Sequence, residues 1–316
     1  MIWHIAWAEL RKAKAKKRFW FLFVLMGVIV PLLQVVISYF VTQSVAGTLA
    51  DPSRDVSNAI AEQASTGFSL GRNFLGVGAL FFLLPISAIV GNFLIGEERG
   101  FKMWKVIFVA QPSRMSVLAG KFLGGMVLLT LLILCSGAAN MAIGFVANLI
   151  FFRISESGDW LTLLSLYGLQ CVVLAAPLAL SMLISSIIAA PAMSLIGTVL
   201  LPPILEGIVT ASIATQLNRL NAVNAAFQAL KIKNLFEEIP RYYLTRNLNL
   251  GTGFAGSSAS GGLFGNPNAG LKDNPLGNLL QFSWSETTWS VCVSVVYAAL
   301  FLVLFFILWR RRDVLD

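Results

Sequence analysis

The sequence predicts an all-α polytopic membrane protein with six transmembrane helices, and three observations carry that prediction. Of 316 residues, 57% are hydrophobic and only 12% are charged, with a mean hydropathy of +0.78. Soluble globular domains carry about twice that share of charge. The charged residues leave long uncharged gaps, and Lys and Arg gather on alternate sides of those gaps, as the positive-inside rule requires of a membrane-crossing chain. Disorder is excluded by the same figures, because disordered chains are poor in apolar residues. The net charge of +8 is no nucleic-acid footprint, which needs a basic face on a soluble fold.

The first element is residues 1–18. Trp3, Trp7 and Leu10 recur at helical spacing, while Arg11, Lys12, Lys14, Lys16, Lys17 and Arg18 crowd the end nearest the first gap. This predicts an amphipathic helix on the cytoplasmic membrane surface, with tryptophans at the interface and cations toward anionic headgroups. A plain positive-inside stop signal would not need the aromatic spacing. The apolar stretch from Phe19 is far longer than the roughly 7–15 residues of a signal-peptide core, so it is expected to remain in the mature protein.

Crossing a hydrocarbon core of about 30 Å takes about 20 apolar residues. The gaps place spans at about 19–43, 74–96, 119–149, 161–188, 191–214 and 288–309. The fourth and fifth share one gap of 46 residues between Asp159 and Glu206, divided at Ala189-Ala190-Pro191, where proline suits the first turn of a new helix. With the N-terminus inside, the cytoplasmic segments and Lys121 hold 14 basic and five acidic residues, against nine of each outside. Both termini are then cytoplasmic. Outside, residues 44–73 offer no chemistry, and the short connection from Arg153 to Trp160 makes spans three and four antiparallel neighbours. The longest outer segment, 215–287, starts with a helical period (Leu217, Leu220, Val223, Phe227, Leu230), continues through Leu235, Phe236, Ile239 and Tyr242 past Pro240, and ends in a Gly/Ser/Asn-rich loop. It predicts one or two amphipathic helices on the outer face.

Catalytic chemistry is hard to assemble here. His4 is the sole histidine, which removes His-based metal sites and Ser-His pairs. Gly120-Lys121 is followed by Phe122, so the phosphate-cradling Gly-Lys-Ser/Thr pattern is missing; any ATP must be bound by another chain. Glu97-Glu98 followed by Lys102 superficially matches the Glu-Glu-x-x-x-Arg of intramembrane prenyl-protein proteases, but with Lys in place of Arg, at the membrane edge, and without the later histidines they need. Cys135, Cys171 and Cys292 fall inside spans and read as small apolar residues. Glu206 is the one acid embedded in a span, about 22 Å along its helix from Pro191, just after Pro202-Pro203, which would break helical hydrogen bonding. It reads either as a gate or substrate-path residue beside a broken helix or as a carboxylate reaching outer water. Gly120, Gly124, Gly125, Asn92, Asn140 and Gln170 read as helix-packing residues.

The loop at 97–118 alternates charge with Phe101, Trp104, Val106, Ile107 and Phe108, and exceeds the few residues a turn needs; it is expected to dock onto a partner or the bilayer. At this point the chain resembles the type-2 permeases of ABC transporters, in the exporter branch with bacitracin- and lantibiotic-resistance permeases and sodium- or copper-linked relatives. The resemblance rests on Trp7-x-Glu9-Leu10-x-Lys12, Glu97-Glu98-Arg99-Gly100, Pro112-Ser113-Arg114, Gly120-Lys121, the six spans, and Trp309-Arg310-Arg311-Arg312-Asp313. Gly100-Phe101 stands where the family usually has Gly-Thr. The resemblance implies an elbow helix including Trp3, Trp7, Glu9, Leu10 and Lys12. It also implies a coupling helix within 97–105 whose Glu97, Glu98, Arg99, Gly100, Phe101 and Lys102, with Arg114, meet a nucleotide-binding ATPase subunit. ATP and Mg would sit on that subunit, none on this chain. A second permease, identical or not, and a bacterial cytoplasmic membrane complete the expectation. A different class stays open: a membrane scaffold that binds a partner through 215–287.

Overall fold

The computed structural model describes residues 2–48, 66–76, 83–100, 114–152, 159–188, 190–223, 238–248, 250 and 284–311, and regular structure among them is helical throughout. Helix α1 (Ile2–Ala15) is followed by α2 (Lys17–Val24), a π turn at Leu25–Ile29 and α3 (Val30–Thr48). Pro31 explains the π turn: lacking an N–H, it cannot complete the regular ladder, and Val30 N–H bonds five residues back to Leu25. Next come α4 (Gly67–Gly76), α5 (Leu84–Gly91), a second π turn at Asn92–Gly96 and α6 (Glu97–Gly100). Helix α7 (Arg114–Ala147) ends in a third π turn, Asn148–Phe152; α8 (Trp160–Val173) leads through Leu174 into α9 (Ala175–Ile187). Pro177 leaves the Val173 carbonyl without its regular donor and accounts for that junction. Helix α10 (Pro191–Val223), a 3₁₀ turn at Ile239–Tyr242, the short α11 (Leu244–Asn247) and α12 (Trp284–Arg311) complete the chain.

Among the described residues, five helices are long and apolar enough to cross a membrane: Phe19–Ile37, Met115–Phe151, Trp160–Ile187, Pro191–Ile213 and Thr287–Arg310. The chain is therefore a multi-pass membrane protein. The predicted second span, 74–96, is not among them, because α4 ends at Gly76, residues 77–82 lie outside the described residues, and the helix that resumes runs into Glu97, Glu98 and Arg99. At the centre of the bundle is α9, whose residues from Ala176 to Ser186 are all buried. It packs against α5, α10 and α12. Outward faces stay apolar, with Phe21, Ile37, Leu161 and Val296 exposed, as lipid contact requires and water would not permit.

Three boundaries differ from the sequence prediction. Helix α7 begins at Arg114, five residues before the predicted span, so Lys121 sits two turns inside a helix. Residues 97–100 continue the helix of the second predicted span; the rest of the expected coupling helix, with Phe101 and Lys102, falls in 101–113, outside the described residues. Pro202 and Pro203 do not break their helix, for α10 runs through both. Each costs one backbone bond, and a membrane helix packed by neighbours tolerates that. The same helix extends to Val223 and takes in the start of the predicted outer amphipathic segment. Further along that segment, the described turns are short, and residues 251–283, including the Gly/Ser-rich loop, lie outside the described residues.

Candidate functional site

The end of the bundle that carries α1 holds a buried charge cluster. Lys121 is 1% exposed. Around its ammonium stand Glu9 Oε1 of α1 at 2.6 Å, Glu98 Oε2 of α6 at 2.7 Å and the Leu94 carbonyl oxygen at 3.1 Å. Lys12 Nζ adds a second cation, 3.2 Å from Glu9 Oε1 and 2.6 Å from Glu98 Oε1. Two carboxylates and two ammoniums make this four-residue core neutral. A buried ion of either sign left unpaired costs several kcal/mol, so the buried Glu9, Glu98 and Lys121 depend on one another, and Lys12 closes the cluster from its half-exposed edge. Burial alone would lower the Lys12 pKa, but the Glu98 hydrogen bond and the charges of Glu9 and Glu98 outweigh it and hold the group above its ordinary value. At the rim, Lys16 pairs with Glu97 and lies 4.4 Å from the centre of the Phe93 ring. Arg99 donates to the Ser186 carbonyl near the end of α9.

Small residues bring the three backbones close enough for these contacts. On α1, Ala6, Glu9 and Ala13 form the buried face, at the spacing of one helical stripe. Opposite them, a Cβ on Gly120 would lie 2.8 Å from Ile5 Cβ, and one on Gly124 would lie 3.3 Å from Ala6 backbone atoms. On the other side of α7, a Cβ on Gly125 would lie 2.6 Å from a Leu94 methyl. The glycines thus seat α1 and the second-span helix on either side of Lys121. The π turn at Asn92–Gly96 aims Glu97 and Glu98: Asn92 folds over Gly96, where a Cβ would meet its Oδ1 at 1.9 Å. Asn92 Oδ1 also accepts from Ser194 Oγ of α10 at 3.0 Å.

Glu97, Glu98 and Arg99, expected to face an ATPase, are engaged within this chain by Lys16, by Lys12 and Lys121, and by Ser186 respectively. Gly100 ends α6 and Arg114 begins α7. Trp3 and Trp7 are largely exposed on α1, away from α7, while Leu10 packs against the main core. Lys121 is the residue that the sequence reading undervalued: it was counted as a loop charge, although the neighbouring glycines signal close helix approach.

At the far end, Glu206 of α10 is bound by the 239–248 segment. Its carboxylate accepts from the Thr245 backbone N–H at 3.1 Å and from the Thr245 hydroxyl, capping the first turn of α11. Pro202 and Pro203 lie one turn below, inside an unbroken α10.

A family model described as ABC-2 family transporter protein matches residues 5–201, more than half of the chain. The match contains Glu9, Lys12, Glu97, Glu98 and Lys121 and stops before Pro202. No curated protein matches the chain.

Proposed function

Because the chain belongs to the ABC-2 family of transporter proteins, and so is the membrane permease component of an ABC transporter, we propose that it is an exporter permease driven by ATP hydrolysis on a separate nucleotide-binding subunit. In this reading six spans cross a bacterial cytoplasmic membrane with both termini inside, α1 is the elbow helix, and a second permease, identical or related, completes the path. The chain performs no covalent chemistry; ATP and Mg belong to the partner.

The observation that carries the mechanism is the Glu9–Lys121–Glu98 cluster. Movement imposed on the 97–113 connection by an ATPase subunit would be resisted at Glu98 and Arg99 unless α1, α7 and α9 moved too. Ion pairs across three helices thus turn a push on one short connection into displacement of a larger body. Exposed Trp3 and Trp7, with Arg11 and Lys14 on the outer side of α1, suit an elbow riding on the headgroup layer.

The test is to purify the tagged chain from its native membranes in mild detergent and reconstitute it in nanodiscs. A nucleotide-binding subunit is expected to copurify in stoichiometric amount and to hydrolyse ATP. A chain that purifies with a different protein held by its 215–287 segment, and without ATPase activity, overturns the proposal in favour of a scaffold.

A further inference from the structure

Residues 239–248, with Leu250, join three spans at the far end. Leu244, Leu248 and Leu250 are buried in the same core as the membrane helices. Gln170 of α8 donates to the Leu248 carbonyl at 3.2 Å, and Trp289 of α12 donates to the Arg241 carbonyl at 3.3 Å. Arg241 and Tyr242 also lie against the Trp289 ring, at 4.7 Å and 5.2 Å respectively. From α10 come the Glu206 contacts to Thr245 and a 3.0 Å contact between the Thr210 and Tyr243 hydroxyls. One short segment therefore holds α8, α10 and α12 together, with a different helix at each attachment.

These attachments are unequal. Those to α8 and α12 pair neutral donors with backbone carbonyls and bury leucine or aromatic surface. On α10, a charged acceptor placed at membrane depth relies for its two recorded hydrogen bonds on the segment itself. Removing the segment from α10 leaves Glu206 without those donors, whereas removing it from α8 exposes only an amide. We propose that Glu206 is a latch, that 239–248 is a clasp closing the outer ends of α8, α10 and α12 in the resting permease, and that transport requires the Glu206–Thr245 contact to open. This rests on the transporter reading and adds to it a named closure residue.

Two experiments separate this proposal from that reading. Amide exchange on the purified permease in nanodiscs, without nucleotide or partner, tests the latch alone. Glu206→Ala is expected to speed exchange at Thr245 by about tenfold, with Thr287–Arg310 unchanged; equal exchange in variant and wild type overturns the latch. A second variant, Glu206→Cys with Thr245→Cys in a background where Cys135, Cys171 and Cys292 are alanine, tests the opening. Oxidation of the copurified complex is expected to trap the clasp and reduce Mg-ATP hydrolysis at least fivefold, with recovery on reduction. Full hydrolysis by the cross-linked protein shows that the clasp need not open and overturns the proposal, while leaving the ATPase partnership intact.

Discussion

At both ends of this bundle a charge lies deep within a helix, and the chain satisfies each one differently. Lys121 is held by two full negative charges delivered by helices that lie 112 and 23 residues before it in sequence. Glu206 is held by a backbone N–H and a hydroxyl from one residue, 39 positions later. The first solution is mutual, since losing Lys121 strands two carboxylates; the second is one-sided, since losing Glu206 strands only the neutral donors of Thr245. Mutual ion pairing suits a joint that keeps three helices in register, and neutral capping suits a contact that must part and reform.

The sharpest way to break this contrast is Lys121→Met. It should cost about 3–5 kcal/mol, because Glu9 and Glu98 are left buried with only Lys12 between them. Denaturant titration in mixed micelles would register the loss. Adding Glu98→Gln should return part of it, and strict additivity of the two changes would argue against a shared cluster. Gly120→Leu leaves every charge in place but drives α1 away from α7 through Ile5, at about 2 kcal/mol; protease cleavage between α1 and α2 should speed up accordingly. At the far end Glu206→Gln removes a charged acceptor and should cost about 1.5 kcal/mol, read in the same micelle titration. If it matched Lys121→Met, the two ends would not differ as described.

The two ends should also respond to opposite extremes of pH, with the smallest effects. Lys12 has a raised pKa in the folded chain, so its stabilisation is complete below its ordinary value of 10.5 and is lost as pH climbs through the higher folded value. Asp159, which caps α8, is shifted the other way by hydrogen bonds from the Thr162 hydroxyl and backbone. Its contribution is present above 3.8 and fades as pH falls through the lower folded value. Alkaline titration should therefore raise amide exchange in α1, and acid titration should raise it at the start of α8.

Much of the helical framework was legible in the sequence because charge is so costly in hydrocarbon that uncharged gaps mark spans almost by themselves. The same rule misled at Lys121, since it treats each charge as a boundary. A lysine two turns inside α7 is tolerable only when counter-ions arrive from elsewhere, and no local pattern announces a partner as distant as Glu9. The glycines at 120, 124 and 125 were visible, but their two faces were not assigned to separate neighbours. At Pro202-Pro203, local chemistry pointed to a break, yet α10 runs through both. Glu206 was singled out correctly as an embedded acid, whereas Thr245 could be connected to it only in three dimensions.

The order of the cluster along the chain also bears on biosynthesis. Glu9 and Glu98 are translated before Lys121, so both carboxylates are already made when the lysine emerges from the ribosome and its helix enters the membrane. An N-terminal deletion that removed α1 would deliver Lys121 to the bilayer with one counter-ion in place of two, and would take Lys12 away from Glu98 in the same stroke. The short first helix therefore supplies counter-charge for a lysine more than a hundred residues downstream.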